Sequence, residues 1–417
     1  MIGLRELGRV LAGAFLAGEW DAESMVARAQ AAIGRRAWLR AVALEVLAAY
    51  ERPPRDRPRE LGAYVAVVLE GRPRRPRVAR VLHEPLFHAA MAPRRWPVPA
   101  IDTVGELAER LELDPGQLAW LADVRGLERM AGDRRLRNYT YLRLPRASGP
   151  PRVIERPKAR LKEIQRWILR ELLLWIPVHD AAHGFVRGRS ARTHAAAHVG
   201  RRVVVRMDLE DFFAAVSAAR VYGIYRAAGY PEAVAHALTG LCTNVVPPDE
   251  SVEGHYRLAR ALATPHLPQG APTSPALANL AAFRLDRRLT GLAAAIGARY
   301  TRYADDLVLS ADHYLRAPQA MIAAIAADEG FRVKPGKTRV MGRGARQSVT
   351  GIVVNERVNV ARVEYERLKA VLHHARLDGP GGLDPAHVLG RIAWVESLNA
   401  ARGAKLRAAF AQITWST

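Results

Sequence analysis

Tyr303-Ala304-Asp305-Asp306 lies between two short apolar-rich runs, residues 298–302 and Leu307-Val308-Leu309-Ser310. Two runs of strand composition around a tight acidic tip predict a β-hairpin. The tip presents two adjacent carboxylates to hydrated cations. Mg²⁺ takes oxygen ligands, retains several waters, and is usually held by one or two carboxylates together with substrate phosphates. Two-metal phosphoryl-transfer sites use such carboxylates to clamp attacking and leaving oxygens. Alone, an acidic hairpin tip is an ordinary turn.

A second acidic site gives the first its weight. Arg201-Arg202-Val203-Val204-Val205-Arg206-Met207-Asp208 is a β-branched run that ends in a carboxylate. Buried strands have this composition, with chemistry gathered at the carboxyl end. Asp208 is therefore expected to face the hairpin tip across a sheet and complete a three-carboxylate metal site. Glu210 and Asp211 compete for that position, and Phe213 lies five residues beyond Asp208.

Between the acidic sites stands Leu267-Pro268-Gln269-Gly270-Ala271-Pro272-Thr273-Ser274-Pro275. Its glycine and three prolines make a stiff turn. Ser274 before Pro275 reads as an N-cap with proline at the first helical position. Leu277, Leu280, Ala281, Leu285 and Leu289 then recur at helical spacing and predict a packed helix over 276–289.

Asp208 with Phe213, the Leu-Pro-Gln-Gly block and Tyr-Ala-Asp-Asp stand in the order of reverse transcriptase motifs A, B and C, and the chain resembles that family. Val349-Thr350-Gly351 and His183-Gly184-Phe185-Val186-Arg187-Gly188-Arg189-Ser190 resemble signatures of bacterial retron reverse transcriptases. His194-Ala195-Ala196-Ala197-His198 sits where that group has Asn-Ala-x-x-His, with His194 in place of the asparagine. The resemblance covers about residues 105–410. It implies an α+β right-hand polymerase, with fingers, a palm built on an antiparallel sheet, and a helical thumb. The expected division is a helical, basic extension over 1–100, fingers and pre-palm over 101–200, palm over 201–356 and thumb over 357–417.

The same resemblance implies the roles. Asp208, Asp305 and Asp306 would hold two Mg²⁺ ions, with Mn²⁺ able to substitute. Gln269 would position the incoming deoxynucleotide, Phe213 would lie under its sugar, and Tyr303 would pack near the primer end. His194, His198, Val349, Thr350 and Gly351 are implied in RNA binding. The implied partners are dNTPs, a cognate structured noncoding RNA with its DNA product, and an effector protein. The implied product is branched RNA–DNA primed from a 2′-hydroxyl of an internal guanosine, often part of anti-phage defence.

Only six of the 63 basic residues are lysines, which directs attention to each, because lysine can lose a proton and arginine effectively cannot. Lys337, in Phe331-Arg332-Val333-Lys334-Pro335-Gly336-Lys337-Thr338, resembles the motif D lysine near the leaving pyrophosphate. It reads either as a general acid or phosphate contact or as a solvated loop lysine, with Lys334 the weaker candidate. Upstream, Tyr139–Leu144 and residues 152–155, joined by 145–151, read as a fingers hairpin. Arg152 resembles the arginine that family members place on the triphosphate, and Arg146 could act from the tip; a planar guanidinium donates two parallel bonds to phosphate. Residues 161–175 follow as an amphipathic helix, flanked by Lys158 and Lys162 as RNA-backbone contacts.

Composition agrees with a polyanionic partner. The 417-residue chain carries a formal net charge of +22, and neutralising phosphates releases counterions. The single cysteine, Cys242, excludes an intramolecular disulfide and a cysteine zinc cluster and reads as core filler. No apolar run reaches membrane-spanning length, so the expected location is cytoplasmic, with no membrane partner.

Residues 4–16 and 22–48 have helical spacing, whereas 51–95 is rich in proline and arginine, and Arg72-Pro73-Arg74-Arg75-Pro76-Arg77 reads as an exposed linker or RNA-binding arm. Residues 103–125 resemble a helix-turn-helix that serves as structural extension. Beyond Val349-Thr350-Gly351, residues 363–377 and 386–412 read as thumb helices whose Arg362, Arg367, Lys369, Arg376 and Arg391 could grip a duplex or simply be solvated. Two other readings compete with a retron polymerase: a defence-associated reverse transcriptase with protein-primed or non-templated synthesis, and a catalytically inactive nucleic-acid-binding scaffold.

Overall fold

A computed structural model describes residues 1–146, 149–252, 254–315 and 318–415. The chain forms two units, one from residues 1–176 with 216–277, the other from 177–215 with 278–417.

The first unit begins with the helix Leu4–Leu16, which packs on Pro58–Glu70. Gly8 and Gly62 make that contact possible: a Cβ on Gly8 would come within 2.3 Å of the Gly62 carbonyl oxygen. Leu7, Leu11, Phe15, Leu61, Val65 and Leu69 close the core between them. The helix Pro58–Glu70 falls in the stretch read as rich in proline and arginine. Pro58 sits in its first turn, where a missing N–H costs nothing. The helical run expected over 22–48 is two helices, Ala22–Ile33 and Leu39–Ala49, because Gly34 takes φ +80° and ends the first. In the basic segment, Arg72 pairs with Glu45 and Arg75 with Glu70.

The helix-turn-helix-like stretch forms Val104–Arg110 and Pro115–Ala122, capped by Thr103 and by an Asp114–Gln117 capping box. The second of these packs so tightly on Glu232–Cys242 that a Cβ on Gly240 would overlap the Ala122 carbonyl. Cys242 is buried beside the Tyr225 hydroxyl, as a core filler should be. Strands β1 (Tyr139–Leu144) and β2 (Arg152–Pro157) pair antiparallel from Tyr139↔Pro157 to Leu144↔Arg152. Their expected connection over 145–151 includes residues 147–148, which lie outside the described residues. The following helix, Ala159–Glu171, buries Leu161, Ile164 and Ile168 as its spacing requires and passes into a 3₁₀ turn at Leu173–Trp175.

The second unit carries a four-stranded antiparallel sheet ordered β4-β5-β3-β6, from β3 (Val203–Asp208), β4 (Arg299–Tyr303), β5 (Asp306–Ala311) and β6 (Arg339–Gly342). A short hairpin, β7 (Ser348–Val349) and β8 (Ile352–Val353), turns at Thr350 and Gly351, both at positive φ. The predicted helix over 276–289 is two, Ser274–Ala281 and Phe283–Ala295, the first containing the boundary between units. Ser274 does not act as the expected cap; its hydroxyl donates to the Pro268 carbonyl at 2.7 Å. After β8 come Arg362–Leu377, Pro385–Leu398 and Ala400–Ala411. The helix expected over 386–412 breaks at Asn399, whose side chain accepts the Arg402 N–H and caps a new helix. Val204, Val308, Val349, Ile352, Leu368, Leu372 and Ile392 share one core, so sheet, hairpin and C-terminal helices stand on common apolar ground.

Candidate active site

In the second unit β3 ends at Asp208 and β5 begins at Asp306, and their register pairs those two residues directly. Ala304, at φ +55°, turns the chain from β4 into β5. The Leu209 N–H donates to the Asp305 carbonyl at 2.8 Å, tying the tip to the end of β3. The backbone carbonyl of Asp208 accepts the Lys334 N–H at 2.8 Å, and Lys337 Nζ reaches Asp208 Oδ2 at 2.9 Å. The motif D loop is thus bonded to the carboxylate residue through both main chain and side chain. Of the competing acids, Glu210 is engaged by Arg332 at 3.2 Å, and Asp211 takes a left-handed turn at φ +46°.

Asp306 is held by Arg206 in a two-pronged pair, Nε to Oδ1 at 2.9 Å and Nη2 to Oδ2 at 3.0 Å. Burial raises its carboxyl above the usual carboxylate range; Arg206 opposes this, and the charges of Asp305 and Asp208 add to it. Two cations, Arg206 and Lys337, therefore lie against two of the three carboxylates.

Beneath the tip, Arg302 is fully buried. Its Nε and Nη2 donate to the two Asp286 oxygens at 2.8 and 2.7 Å, and its Nη1 donates to Asn279 Oδ1 and to the Ala304 carbonyl, both at 3.0 Å. Tyr300 adds a hydrogen bond to Asp286 at 2.8 Å. Burial disfavours the Arg302 charge, but Asp286 outweighs that and holds its proton more tightly than usual. Sequence reading missed this group. A lone arginine in a hairpin looks solvent-facing, and neither Asp286 nor Asn279 is near it in the chain.

Tyr303 has an aromatic setting. Its ring lies 5.8 Å from His194 and 6.5 Å from Phe185, and Phe185 lies 6.2 Å from Phe213. His194 is fully buried with neither ring nitrogen hydrogen-bonded. Burial pushes its pKa down to about 3, helped by the neighbouring His183, so it is neutral. His198 bridges the sheet, with Nδ1 at 2.7 Å from Ser310 Oγ and Nε2 at 2.7 Å from Thr301 Oγ1. Burial lowers its pKa as well. His194, His198 and Val349 thus have no surface to offer an RNA; Thr350 is half-buried and Gly351 exposed at the hairpin turn. The side chains of His194, His198 and Val349 are buried, while the turn at Thr350 and Gly351 reaches the surface.

Residues 144–367 match the family described as reverse transcriptase (RNA-dependent DNA polymerase). The chain is 41% identical to the retron Mx65 reverse transcriptase of Myxococcus xanthus, over 75% of this chain and 72% of that protein. It is 38% identical to the retron Mx162 enzyme of the same organism, over 75% and 67%. It is 33% identical to the retron Ec86 enzyme of Escherichia coli, over 60% and 72%. The chain belongs to the retron-type reverse transcriptases. It is an RNA-directed DNA polymerase.

Reverse transcriptases use divalent metal ions. Among the described residues no group of three or more histidine, cysteine or acidic side chains is gathered closely enough to hold a metal ion. Arg206 holds both oxygens of Asp306, and Lys337 holds one oxygen of Asp208. The donor set nonetheless fits a hard divalent ion, because it offers carboxylate oxygens alone.

Three further nucleotide-binding candidates of the reverse transcriptase belong to the first unit. Arg152 opens β2 with an exposed side chain, and Arg146 is also exposed. Gln269 is half-buried, and its carbonyl accepts the Glu155 N–H at 2.9 Å. Glu155, fully buried, accepts from Asn244 at 2.7 Å and pairs with His266 Nε2 at 3.0 Å. His266 Nδ1 donates to the Thr264 carbonyl at 2.7 Å. Burial opposes the His266 charge, yet Glu155 and these bonds raise its pKa overall. This pair also went unseen in the sequence; it links β2 to the Leu267–Gly270 turn, where a Cβ on Gly270 would come within 2.7 Å of the Glu155 carbonyl. Lys158, expected on RNA, instead donates to the Arg134 and Arg135 carbonyls at 3.2 and 2.8 Å; Lys162 is exposed.

Proposed function

We propose that this reverse transcriptase makes branched RNA–DNA from its own structured noncoding RNA, by nucleotidyl transfer at Asp208, Asp305 and Asp306. The observation that carries the site is the direct register of Asp208 with Asp306, with Asp305 bonded through its carbonyl to Leu209. Two Mg²⁺ ions, or Mn²⁺ in their place, would be held by these carboxylates and would lower the primer hydroxyl's pKa while neutralising the leaving pyrophosphate. Arg206 and Lys337 hold the carboxylate charges until substrate arrives. Lys337, half-exposed on a short loop, is then placed to donate to pyrophosphate oxygens. Phe213 sits under the incoming sugar and excludes a 2′-hydroxyl, and Tyr303 supports the primer end. Arg152 grips the triphosphate with its fork and Gln269 positions the nucleotide. The functional division into extension (1–100), fingers and pre-palm (101–200), palm (201–356) and thumb (357–417) belongs to the same proposal.

RNA recognition would run through the Thr350-Gly351 turn supported by His194, His198 and Val349. Shape and 2′-hydroxyl contacts are what distinguish one folded RNA from bulk RNA. No described helix is long and apolar enough to cross a membrane; a cytoplasmic setting, an effector partner and a role in anti-phage defence complete the reading. The test is to express the protein with its flanking locus, extract the bound nucleic acid, and treat it with RNase and then with debranching enzyme. A DNA keeping a short RNA stub after RNase and losing it on debranching is the expected result. Unbranched DNA would instead favour a protein-primed or non-templated enzyme.

A further inference from the structure

Phe185 is 52% exposed although its backbone is held at φ +61°, a region that costs a bulky side chain energy and that glycine and asparagine enter most readily. The three residues before it are tied to the hairpin. Ala182 bridges Arg302 of β4, and the His183 N–H donates to the Arg302 carbonyl at 2.7 Å. Gly184 lies flat on the Tyr-Ala-Asp-Asp turn, where a Cβ would come within 2.5 Å of the Ala304 nitrogen. Asn279 Nδ2, itself buried, donates to the Gly184 carbonyl at 2.9 Å. The segment is therefore clamped to the tip, and the clamp sets a strained aromatic residue half in solvent beside Tyr303 and Phe213. Strain kept in this way clusters at ligand clamps, and an exposed aromatic face is a platform on which any base can stack.

We propose that Phe185 is a substrate-contacting residue whose ring stacks on the nucleobase of the primer-terminal nucleotide. The proposal rests on the reading of Tyr303 and Phe213 given above and extends it: Phe185 lies 6.5 Å from the ring assigned to the primer end and 6.2 Å from the ring assigned to the incoming sugar. The Phe185 ring, tilted 38° to Tyr303 and 45° to Phe213, would lie between the two at the junction where the new bond forms.

The experiment compares wild type, Phe185→Gly, Phe185→Asn and Phe185→Tyr in steady-state extension of an RNA template with two DNA primers. One primer is ordinary, and the other carries an abasic 3′-terminal nucleotide. Glycine and asparagine both tolerate the backbone conformation, so thermal midpoints at or above wild type are expected, and loss of the ring is separated from loss of the fold. On the ordinary primer the Gly and Asn variants should raise the primer KM roughly 5- to 150-fold, the range of one lost base–aromatic stack, and Tyr should restore it. On the abasic primer all four proteins should be alike. An unchanged KM on the ordinary primer, or an equal penalty on both primers, would overturn the proposal. Asp305→Asn assayed alongside reports on the metal site alone: extension at the wild-type rate would sink that assignment whatever Phe185 does.

Discussion

In the proposed reading Asp208 and Asp305 carry the chemistry, and their amide variants change charge with little change of volume. Asp208→Asn and Asp305→Asn should each lower primer extension by roughly a hundredfold or more, the scale of losing one preorganised electrostatic group. RNA binding by filter retention should stay near wild type; extension surviving in both variants would remove them from the site. Phe213 is a separate question. Half-buried beside Phe185, it should act as a steric gate, so Phe213→Val should raise ribonucleotide incorporation relative to deoxynucleotide. Unchanged discrimination in single turnovers would make Phe213 a packing residue only.

At the scale of elements, each unit has a buried ion pair that ties distant stretches of chain together. Arg302–Asp286 joins β4 to the helix Phe283–Ala295 and supports the Ala304 carbonyl. Removing one partner of a buried pair strands the other, at about 3–5 kcal/mol. Arg302→Met should therefore lower the urea midpoint markedly. Asp286→Asn, which leaves the Arg302 charge buried without its counter-charge, should lower it as well. Equal stability of Arg302→Met and wild type would mean the pair is not the support described. Glu155–His266 plays the corresponding part in the first unit. His266 has its folded-state pKa raised above the ordinary 6.5. Its contribution is thus fully present below that ordinary value and is lost as pH rises through the higher folded value. The stability gap between wild type and Glu155→Gln should be widest near pH 6 and narrow toward pH 9 in urea titrations. A gap that widens with pH would show that the histidine is neutral in the folded protein.

For the whole molecule the dominant quantity is the net charge of +22. Non-specific RNA affinity should fall steeply with salt, by roughly 10³–10⁵ between 50 and 200 mM if six to ten phosphates are neutralised. A cognate RNA read through shape and 2′-hydroxyls should retain more of its affinity over that range. Parallel salt titrations of the flanking-locus RNA and a scrambled RNA check this; superimposable slopes and affinities would mean charge alone binds RNA here. The exposed Arg362, Arg367, Lys369 and Arg376 lie on one C-terminal helix, and neutralising two of them should flatten the slope by about two.

Much of this architecture was legible in residue order because its signals are local. Alternating and β-branched runs set β3, β4 and β5, a tight acidic tip marked the hairpin, and a register of Asp208 against the tip followed from strand ends. Helix breaks were less legible. Gly34, Ala282 and Asn399 end helices that apolar spacing alone would continue, since a cap depends on a few backbone angles rather than on periodicity. What only the tertiary structure decided are the pairings between distant residues: Arg302 with Asp286 and Asn279, Glu155 with His266, the unbonded His194 against Tyr303, and Asp306 turned to Arg206. A buried charge is tolerable only when a partner meets it, and no periodic pattern records which partner that is. The strained Phe185 belongs with them, because its position is imposed by the turn against which Gly184 is pressed.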